Sequence, residues 1–231
     1  MKLLALDTAS AQCSAALLLD GQLRCRAIPT PREHARLLLP MIDELLQEAG
    51  VALSALDGIA FGRGPGSFTG VRIAAAVTQG LAAGAGLPVL PISSLRALAA
   101  QARQAVLGHE PRLPPGNWLA CMDARMGEVY WGVFGADLAQ AEEHVGPPAA
   151  LHSGELPAVA GAAGMGLGAW PEIAIALRLP PVRVFAAAEP HAGDIAWLAA
   201  ADLAGGARWL DAAQAQPVYL RDQVVHAPRS G

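Results

Sequence analysis

Lysine is almost missing from this chain of 231 residues, since Lys2 is its only lysine and the other basic residues are arginines. No internal lysine is therefore available to form a Schiff base or to bind the phosphates of a nucleoside triphosphate. Charge of either sign is also scarce, with 16% charged residues and a net charge of −4. A nucleic-acid-binding protein needs a basic patch to neutralise phosphates, so we do not expect this chain to hold nucleic acid by itself.

Cysteine and histidine are too few and too scattered to indicate a metal site. Cys13, Cys25 and Cys121 are odd in number and lack ligand spacing, so we predict reduced thiols in a cytosolic protein. No two of the six histidines are three or four positions apart, and no helix face can therefore present two imidazoles. These patterns predict no bound metal and give no support to a metallopeptidase.

Long hydrophobic runs are missing too, although 53% of the residues are hydrophobic. The N-terminal apolar run ends at Asp7, too early for a signal peptide. Residues 73–95 carry no charge, but glycines and prolines divide them into a helix, a turn and a strand. We therefore expect a globular, cytoplasmic protein with neither a targeting segment nor a membrane span.

The most informative segment is the glycine-rich stretch at 62–72, Gly-Arg-Gly-Pro-Gly-Ser-Phe-Thr-Gly-Val-Arg. A short apolar run at 58–61 precedes it, and the apolar segment 71–85 contains one charged residue, which predicts a strand, a loop and a buried helix. Ser67 or Thr69 can cap that helix. The glycines permit close approach of another chain segment or of a ligand, so the loop could bind an anion or form a tight turn.

Strands and helices alternate through the first half of the chain. An Asp20-Gly21 turn between two apolar runs predicts a β-hairpin. Pro31 suits the first turn of a helix that ends at Gly50, and Pro40 should kink that helix. The predicted elements are strands at 3–6, 13–19, 22–28, 58–61 and 89–92 and helices at 31–49, 71–85 and 94–106. This alternation predicts an α/β fold in which helices cross over a sheet.

The second half of the chain repeats the opening pattern after a linker at 108–116 that is rich in proline and glycine. A predicted strand ends in Asp123, as the first strand ends in Asp7. A short turn and another predicted strand at 128–134 follow. This recurrence of strand, aspartate, turn and strand indicates an internal duplication.

The duplication predicts two domains, an N-terminal one at 1–106 and a C-terminal one at 107–231. The last predicted helix could pack back on the first domain. The remaining predicted features of the second half are a glycine-rich loop at 161–168, a strand at 182–184 and a helix at 193–204.

Four segments, taken in order, resemble the TsaB (YeaZ) family of bacterial tRNA threonylcarbamoyladenosine biosynthesis proteins. They are Leu6-Asp7-Thr8-Ala9, the loop at 62–72, the run from Asp123 to Tyr130 and the run from Pro217 to Asp222. The likeness covers essentially the whole chain. It implies two duplicated α/β domains of the actin/Hsp70/sugar-kinase (ASKHA) superfamily, which are ribonuclease H-like, with mixed sheets and helix crossovers.

The resemblance also implies a function in the machinery that attaches threonylcarbamoyl to the adenosine next to the anticodon of tRNA. In that machinery a larger paralogue, TsaD, holds the transferase site, and a small ATPase, TsaE, joins the complex. A TsaB-like chain would be the non-catalytic partner that activates TsaD and would meet tRNA only through the complex. The metal-binding histidine pair of the paralogue aligns near Ser94 and Leu98, and neither residue is a metal ligand.

In ATP-using members of the superfamily, aspartates at the ends of the first strands meet magnesium and phosphates. Asp7 and Asp123 match those positions. The turns after them lack the glycines that let backbone approach a phosphate, so each aspartate could instead cap its turn. No cofactor is expected, but weak binding of a phosphate or nucleotide stays open for Asp7, Thr8, Gly64, Gly66, Ser67 and Asp123.

Two other functions stay open beside the partner-subunit interpretation. A small-molecule kinase of the same fold would need ATP binding and a catalytic aspartate in a working cleft. A glycoprotease-like peptidase would need a metal or a nucleophile that the sequence does not show.

The first two helices carry more apolar surface than one sheet requires. On the first helix it covers an arc of roughly 180°, whereas a sheet-facing stripe needs little more than ~100°. The second helix is apolar or small nearly all round. We predict that the surplus packs against the matching helices of the paralogue. When the paralogue is absent a homodimer could use the same face, because a self-complementary patch suits two-fold symmetry. The alternative is that the chain's own C-terminal helix covers the surplus. Arg63 and Arg72 beside it could bind an anion or a partner's carboxylate. The predicted contact residues are Leu37, Leu38, Met41, Ile42, Leu45, Phe68, Thr69, Val71, Arg72, Ile73 and Ala76.

Overall fold

The computed structural model describes residues 1–30, 32–139, 141–152 and 156–221. These residues form two five-stranded mixed sheets with helices on both faces of each. The strands are β1 (Lys2–Asp7), β2 (Gln12–Leu19), β3 (Gln22–Pro29), β4 (Gly58–Gly62), β5 (Val89–Ile92), β6 (Asn117–Arg125), β7 (Glu128–Phe134), β8 (Glu143–Gly146), β9 (Val159–Ala163) and β10 (Val184–Phe185). The α-helices are α1 (His34–Ala49), α2 (Phe68–Ala85), α3 (Ser94–His109), α4 (Met165–Ala169), α5 (Glu172–Ala176) and α6 (Ala192–Ala204).

The first sheet has the order β3-β2-β1-β4-β5. Strands β1, β2 and β3 form an antiparallel meander, whereas β1, β4 and β5 run parallel. Asp20 and Gly21 both have positive φ, 48° and 87°, which confirms the predicted hairpin turn. Because β1 and β4 are parallel neighbours, the turn after Asp7 and the loop after Gly62 lie side by side at one edge of the sheet.

The second sheet has the order β8-β7-β6-β9-β10 and the same strand directions. Its first strand, β6, is central, with an antiparallel hairpin partner on one side and the parallel strand β9 on the other. Each sheet therefore places the carboxyl end of its first strand next to that of the following parallel strand.

The helices form three layers around the two sheets. Helices α1 and α2 cover the outer face of the first sheet, and α4 and α5 lie on the outer side of the second. Helices α3 and α6 lie between the sheets, where α3 packs on β6, β7 and β9 and α6 packs on β1, β2 and β4. Arg96 of α3 joins the two inner helices by donating to both carboxylate oxygens of Asp202, at 2.6 and 2.7 Å.

Most predicted elements are confirmed, but their ends differ at a few places. Helix α1 begins at His34 because the N–H of Glu33 is bonded to the hydroxyl of Thr30 in a preceding turn, and Pro31 lies outside the described residues. Pro40 lies within the continuous helix α1, and the kink there stays a prediction. No helix of the described ranges is long and apolar enough to cross a membrane.

Two predictions for the second half were wrong. The segment 161–168 is not a loop, since it contains the end of β9 and the start of α4. A Cβ on Gly166 would lie 2.5 Å from Sγ of Cys121, so the glycine there allows α4 to pack closely on β6. The predicted strand at 182–184 is a 3-10 turn at Pro181–Arg183 followed by the two-residue strand β10, because Pro181 cannot donate to a strand ladder.

Candidate functional site

The glycine-rich loop packs against the turn that follows β1. The Ser67 N–H donates to the Ala9 carbonyl at 2.7 Å, and the Thr8 hydroxyl donates to the Gly70 carbonyl at 2.7 Å. Ser67 also caps α2 by accepting from the Gly70 N–H at 3.3 Å, as predicted. Hydrogen bonds from the chain itself therefore hold the loop to the turn.

The loop glycines are required by this contact. A Cβ on Gly62 would lie 1.9 Å from Oδ2 of Asp7, and one on Gly66 would lie 2.3 Å from the Ala9 carbonyl oxygen. At Gly70 the corresponding distance to the Thr8 carbonyl oxygen is 1.8 Å. Gly64 has a φ of 96°, a backbone conformation that residues with a side chain rarely adopt, so glycine is favoured there too. The structure thus explains these glycines by close approach of residues 7–9, without a phosphate.

Asp7 is completely buried at the end of β1. Its carboxylate accepts from the Ala9 N–H at 2.9 Å and from the Ser94 hydroxyl at 3.3 Å. Burial raises the pKa of Asp7 to about 7 and the negative charge of Glu189 adds to this, while the two hydrogen bonds act in the opposite direction. Asp7 therefore caps its turn and connects β1 to the start of α3.

Asp123 occupies the matching turn of the second sheet and is half-buried. Its carboxylate accepts from the Arg125 N–H at 2.8 Å and pairs with the Arg125 guanidinium at 3.1 Å. Arg125 and Met126 have positive φ of 62° and 56°, so the aspartate stabilises a turn that is unfavourable for residues other than glycine. The turn-capping alternative accordingly accounts for the contacts of both aspartates.

A cleft of about 530 Å³ opens between the two halves of the chain. It lies beyond the carboxyl ends of parallel strands in both sheets, where open α/β sheets commonly bind ligands. Its walls come from the turns after β1, β4 and β6 and from the segment before the end of the described chain. The lining includes Ala9, Ser10, Pro65, Ser67, Phe68, Met122, Asp123, Arg125, Met126, Tyr130, Tyr219 and Arg221.

Ion pairs and hydrogen bonds of the chain itself cross between the two halves. Arg63, after β4, donates to Glu143 of β8 at 3.1 Å, and both side chains are largely buried. Ser10 donates to Glu189 at 2.6 Å. Within the second half, Arg221 pairs with Glu128 at the start of β7. Since its charge is already paired, Arg63 is not a free anion-binding group.

Four of the predicted partner-contact residues on α1 face the chain's own core. They are Leu38, Met41, Ile42 and Leu45, and each is at most 3% exposed. Together with Leu4 and Phe61 of the first sheet they form one apolar cluster. The apolar arc is wider than a stripe because α1 packs against both the sheet and α2. The chain's own core therefore covers these four side chains, which corrects the prediction that they are accessible to a partner. Of the neighbouring leucines, Leu37 is half-buried and Leu39 is 48% exposed.

The predicted contact residues of α2 are mostly accessible. Phe68, Thr69, Arg72 and Ala76 are exposed, Ile73 is half-buried, and Val71 is buried. An apolar groove of about 570 Å³ lies beside this helix at the end of α1. Its lining includes Leu39, Ile42, Leu46, Val51, Leu53 and Leu81. The accessible surface of this layer is thus formed by α2 and by the outward-facing leucines of α1.

Sequence reasoning missed the role of Tyr219. Its ring lies 6.0 Å from the ring of Phe68, and the guanidinium of Arg72 lies 3.3 Å over the Phe68 ring and 5.1 Å from the Tyr219 ring. Tyrosine is rare in this chain, which was the available signal. The motif from Pro217 to Asp222 contains Tyr219, and Asp222 lies outside the described residues.

Within the described ranges, no group of three or more His, Cys, Asp or Glu side chains is arranged to hold a metal ion. Cys13 and Cys121 are buried, and burial raises the pKa of their thiols to about 11 and about 12. These two cysteines are therefore held as thiols rather than as the thiolates that bind metals.

Comparison with known proteins gives one family match and several full-length relatives. Residues 29–164 match the model of the family "TsaD: tRNA N6-adenosine threonylcarbamoyltransferase". The tRNA threonylcarbamoyladenosine biosynthesis protein TsaB of Escherichia coli (strain K12) is 37% identical, over 97% of this chain and 96% of its own length. TsaB of Haemophilus influenzae is 49% identical over 57% of this chain and 52% of its own.

Solved structures are similar over nearly the whole chain. A Pseudomonas aeruginosa protein, described as uncharacterized and similar to the peptidase YeaZ, is 43% identical with a TM-score of 0.80, over 95% of this chain and 99% of that one. A second structure, YeaZ from Pseudomonas aeruginosa, has the same identity and coverage and a TM-score of 0.78.

Proposed function

The chain belongs to the TsaB family of tRNA threonylcarbamoyladenosine biosynthesis proteins, and we propose that it is the non-catalytic partner subunit that activates a TsaD-like paralogous transferase. Its role is in tRNA modification. The match of residues 29–164 to the TsaD family model supports a paralogous relation between this chain and such a transferase. Paralogues of one fold can pair through equivalent surfaces, because each presents a matching helix layer.

The observation that carries the non-catalytic role is the closed contact between the glycine-rich loop and the turn after β1. Backbone approaches the loop at Gly66 and Gly70, where a Cβ would lie 2.3 Å or less from a carbonyl oxygen. A phosphate would need that space and the loop N–H groups, of which the Ser67 N–H is already donated to Ala9. The chain therefore contributes a surface to the complex and not a reaction centre.

The fold that we propose is a duplicated ASKHA-type pair of domains, divided near residues 106 and 107. Its support is the identical order and direction of strands in the two sheets. Near the end of the first strand of each sheet an aspartate accepts the N–H two residues later, Asp7 from Ala9 and Asp123 from Arg125. The inner helices α3 and α6 are exchanged, so each packs on the sheet of the other half.

The proposed partner surface is the layer of α1 and α2, with the accessible residues replacing the covered ones. It comprises Leu37, Leu39, Leu46, Phe68, Thr69, Arg72, Ile73, Ala76 and Leu81. We propose that the same layer forms a homodimer when the transferase is absent. A TsaE-like ATPase completes the assembly, tRNA is met through the complex, and the complex works in the cytoplasm.

The test is an omission experiment with purified components. A TsaD-like transferase, a TsaE-like ATPase, the threonylcarbamoyl donor and substrate tRNA are combined with and without this chain, and modified adenosine is quantified by mass spectrometry of digested tRNA. The proposal expects modification only when the chain is present. Full modification without it would refute the role of an activating partner.

A further inference from the structure

Arg72 is held in a stack of aromatic rings at the start of α2. Its guanidinium lies 3.3 Å over the ring of Phe68, one helical turn earlier, and 5.1 Å from the ring of Tyr219. Tyr219 is brought there by the C-terminal segment, where the Val218 N–H donates to the Arg63 carbonyl at 2.8 Å. Two segments that are distant in sequence thus fix one exposed arginine.

What sets Arg72 apart is that its guanidinium is stacked on aromatic rings while its charge has no acidic partner among the described residues. Within the part of the chain that the structure describes, no carboxylate lies within ion-pair distance of Arg72. Nearby Arg63 is paired with Glu143. Stacking uses the flat face of a guanidinium and leaves its in-plane N–H donors for a carboxylate.

The exposed face of α2 continues from Arg72 through Ala76, Gly80 and Gly84, at helical spacing. A Cβ on Gly80 or Gly84 would meet no atom within 4 Å, so packing inside the chain does not require glycine there. Glycine within a helix is less favourable than alanine. Small side chains on an exposed face allow the axis of another helix to come close.

We propose that the stack of Phe68, Arg72 and Tyr219 is an anchor that receives a carboxylate side chain from a helix of the transferase. This inference rests on the proposed function and names the chemistry of the contact. The partner helix packs along Ala76, Gly80 and Gly84, and its acidic residue meets Arg72 at one end.

The distribution of acidic residues favours a transferase helix, rather than a second copy of this chain, as the partner of Arg72. Helix α2 contains no acidic residue. The acidic residues of α1 are already engaged within the chain, since Asp43 accepts from Gln47 and both Glu44 and Glu48 pair with Arg26. A two-fold pairing of this layer therefore offers Arg72 no unengaged carboxylate from these two helices. A partner helix with one acidic residue satisfies the guanidinium and still packs on the small residues. The stack therefore favours the transferase over the homodimer.

The test compares Arg72→Glu with Arg112→Glu, a matched charge reversal at an exposed arginine between α3 and β6. Both variants are checked by thermal melting, and their affinity for the transferase is measured by calorimetry at low and high salt. Losing a charged contact at an interface should weaken binding about 10- to 100-fold for Arg72→Glu, and Arg112→Glu should bind as wild type. Arg72→Gln repeats the test without introducing a negative charge, and should also bind more weakly and with less salt dependence.

A rescue experiment identifies the partner residue. Acidic residues on the transferase helices are changed to arginine one at a time, and one of them should restore the binding of Arg72→Glu. The inference is overturned if folded Arg72→Glu and Arg72→Gln bind the transferase as wild type does, or if only self-association, followed by sedimentation, changes. If wild type itself does not bind the transferase, the proposed function fails and this inference fails with it.

Discussion

Asp7 shows how one buried side chain couples this fold to pH. Its two hydrogen-bond donors, the Ala9 N–H and the Ser94 hydroxyl, are both uncharged. Burial raises the pKa of Asp7 from 3.8 to about 7. The native state therefore holds a proton that the unfolded chain releases near pH 4. Stability from this residue is full below pH 4 and is lost as the pH rises to 7.

Asp7→Asn should remove this pH dependence. The asparagine keeps the size of the side chain, its carbonyl can accept from Ala9 and its amide can donate to Ser94. Between pH 5 and pH 8 the wild type should lose roughly 2–3 kcal/mol of unfolding free energy that the variant keeps. Urea denaturation at both pH values measures the difference, and identical pH dependence of the two proteins would show that Asp7 stays ionised in the fold.

Adjacent leucines on α1 have opposite roles. Leu38 is fully buried and Leu39 is 48% exposed. Leu38→Ala should destabilise the chain by about 2–5 kcal/mol because it leaves a cavity, while Leu39→Ala should cost about 0.5 kcal/mol or less. Chemical denaturation of the two variants checks this. Equal losses would mean that α1 is rotated relative to the described position.

At the scale of residues, local contacts could be predicted from the sequence and distant ones could not. The Ser67 cap and the turn at Asp7 depend on neighbours within three positions, which the sequence displays. The sequence could not distinguish the role of Arg63 from that of Arg72, because the partner of Arg63 is Glu143, 80 positions away. Tyr219 reaches Arg72 from an even more distant segment.

Helix α2 contains glycines of two kinds. At Gly70 a Cβ would lie 1.8 Å from the Thr8 carbonyl oxygen, whereas at Gly84 it would meet nothing within 4 Å. Gly70→Ala should destabilise the chain by at least about 1–3 kcal/mol because backbone atoms must move. Gly84→Ala should be neutral or stabilising by up to about 1 kcal/mol because alanine favours helix.

Thermal melts of Gly70→Ala and Gly84→Ala separate the two cases, since both make the same substitution in the same helix. A wild-type melting temperature for Gly70→Ala would contradict the close contact between the loop and the turn after β1.

Helices and strands could be predicted where the apolar pattern is long. They were harder to predict where contacts with distant parts of the chain determine the structure. Strands β1 to β5 and helices α1 to α3 follow from periodicity, glycines and caps. Residues 161–168 were predicted as a loop from their glycines, but Gly166 serves close packing of α4 on Cys121. Such a contact depends on the position of β6, which the local sequence does not report.

At the scale of the whole molecule, the two halves share one interior. Helix α3 packs on the second sheet and α6 on the first, and a buried cluster runs from Leu18 through Leu98 to Trp118 and Ala196. The division near residue 106 stays a prediction, made from the repeated strand and aspartate. That α3 and α6 each pack on the sheet of the other half could not be fully predicted, because both helices are apolar enough to pack on either sheet.

A fragment of residues 1–106 should not fold alone. It lacks α6, so the face of the first sheet that carries Leu3 and Leu18 would be exposed to water. The full chain should unfold in one transition that coincides by circular dichroism and tryptophan fluorescence. A fragment that melts cooperatively near the wild-type temperature would show that the halves are independent.

The central claim is that this chain supports tRNA modification through its surface and not through chemistry in its cleft. The most direct measurement is the rate of threonylcarbamoylation in the complete system with the double variant Asp7→Asn, Asp123→Asn in place of wild type. The account predicts a wild-type rate, because both aspartates cap turns and asparagine can accept the same N–H bonds. A folded double variant that binds the transferase normally but lowers the rate by about 100-fold or more, as loss of a catalytic acid or base does, would contradict it.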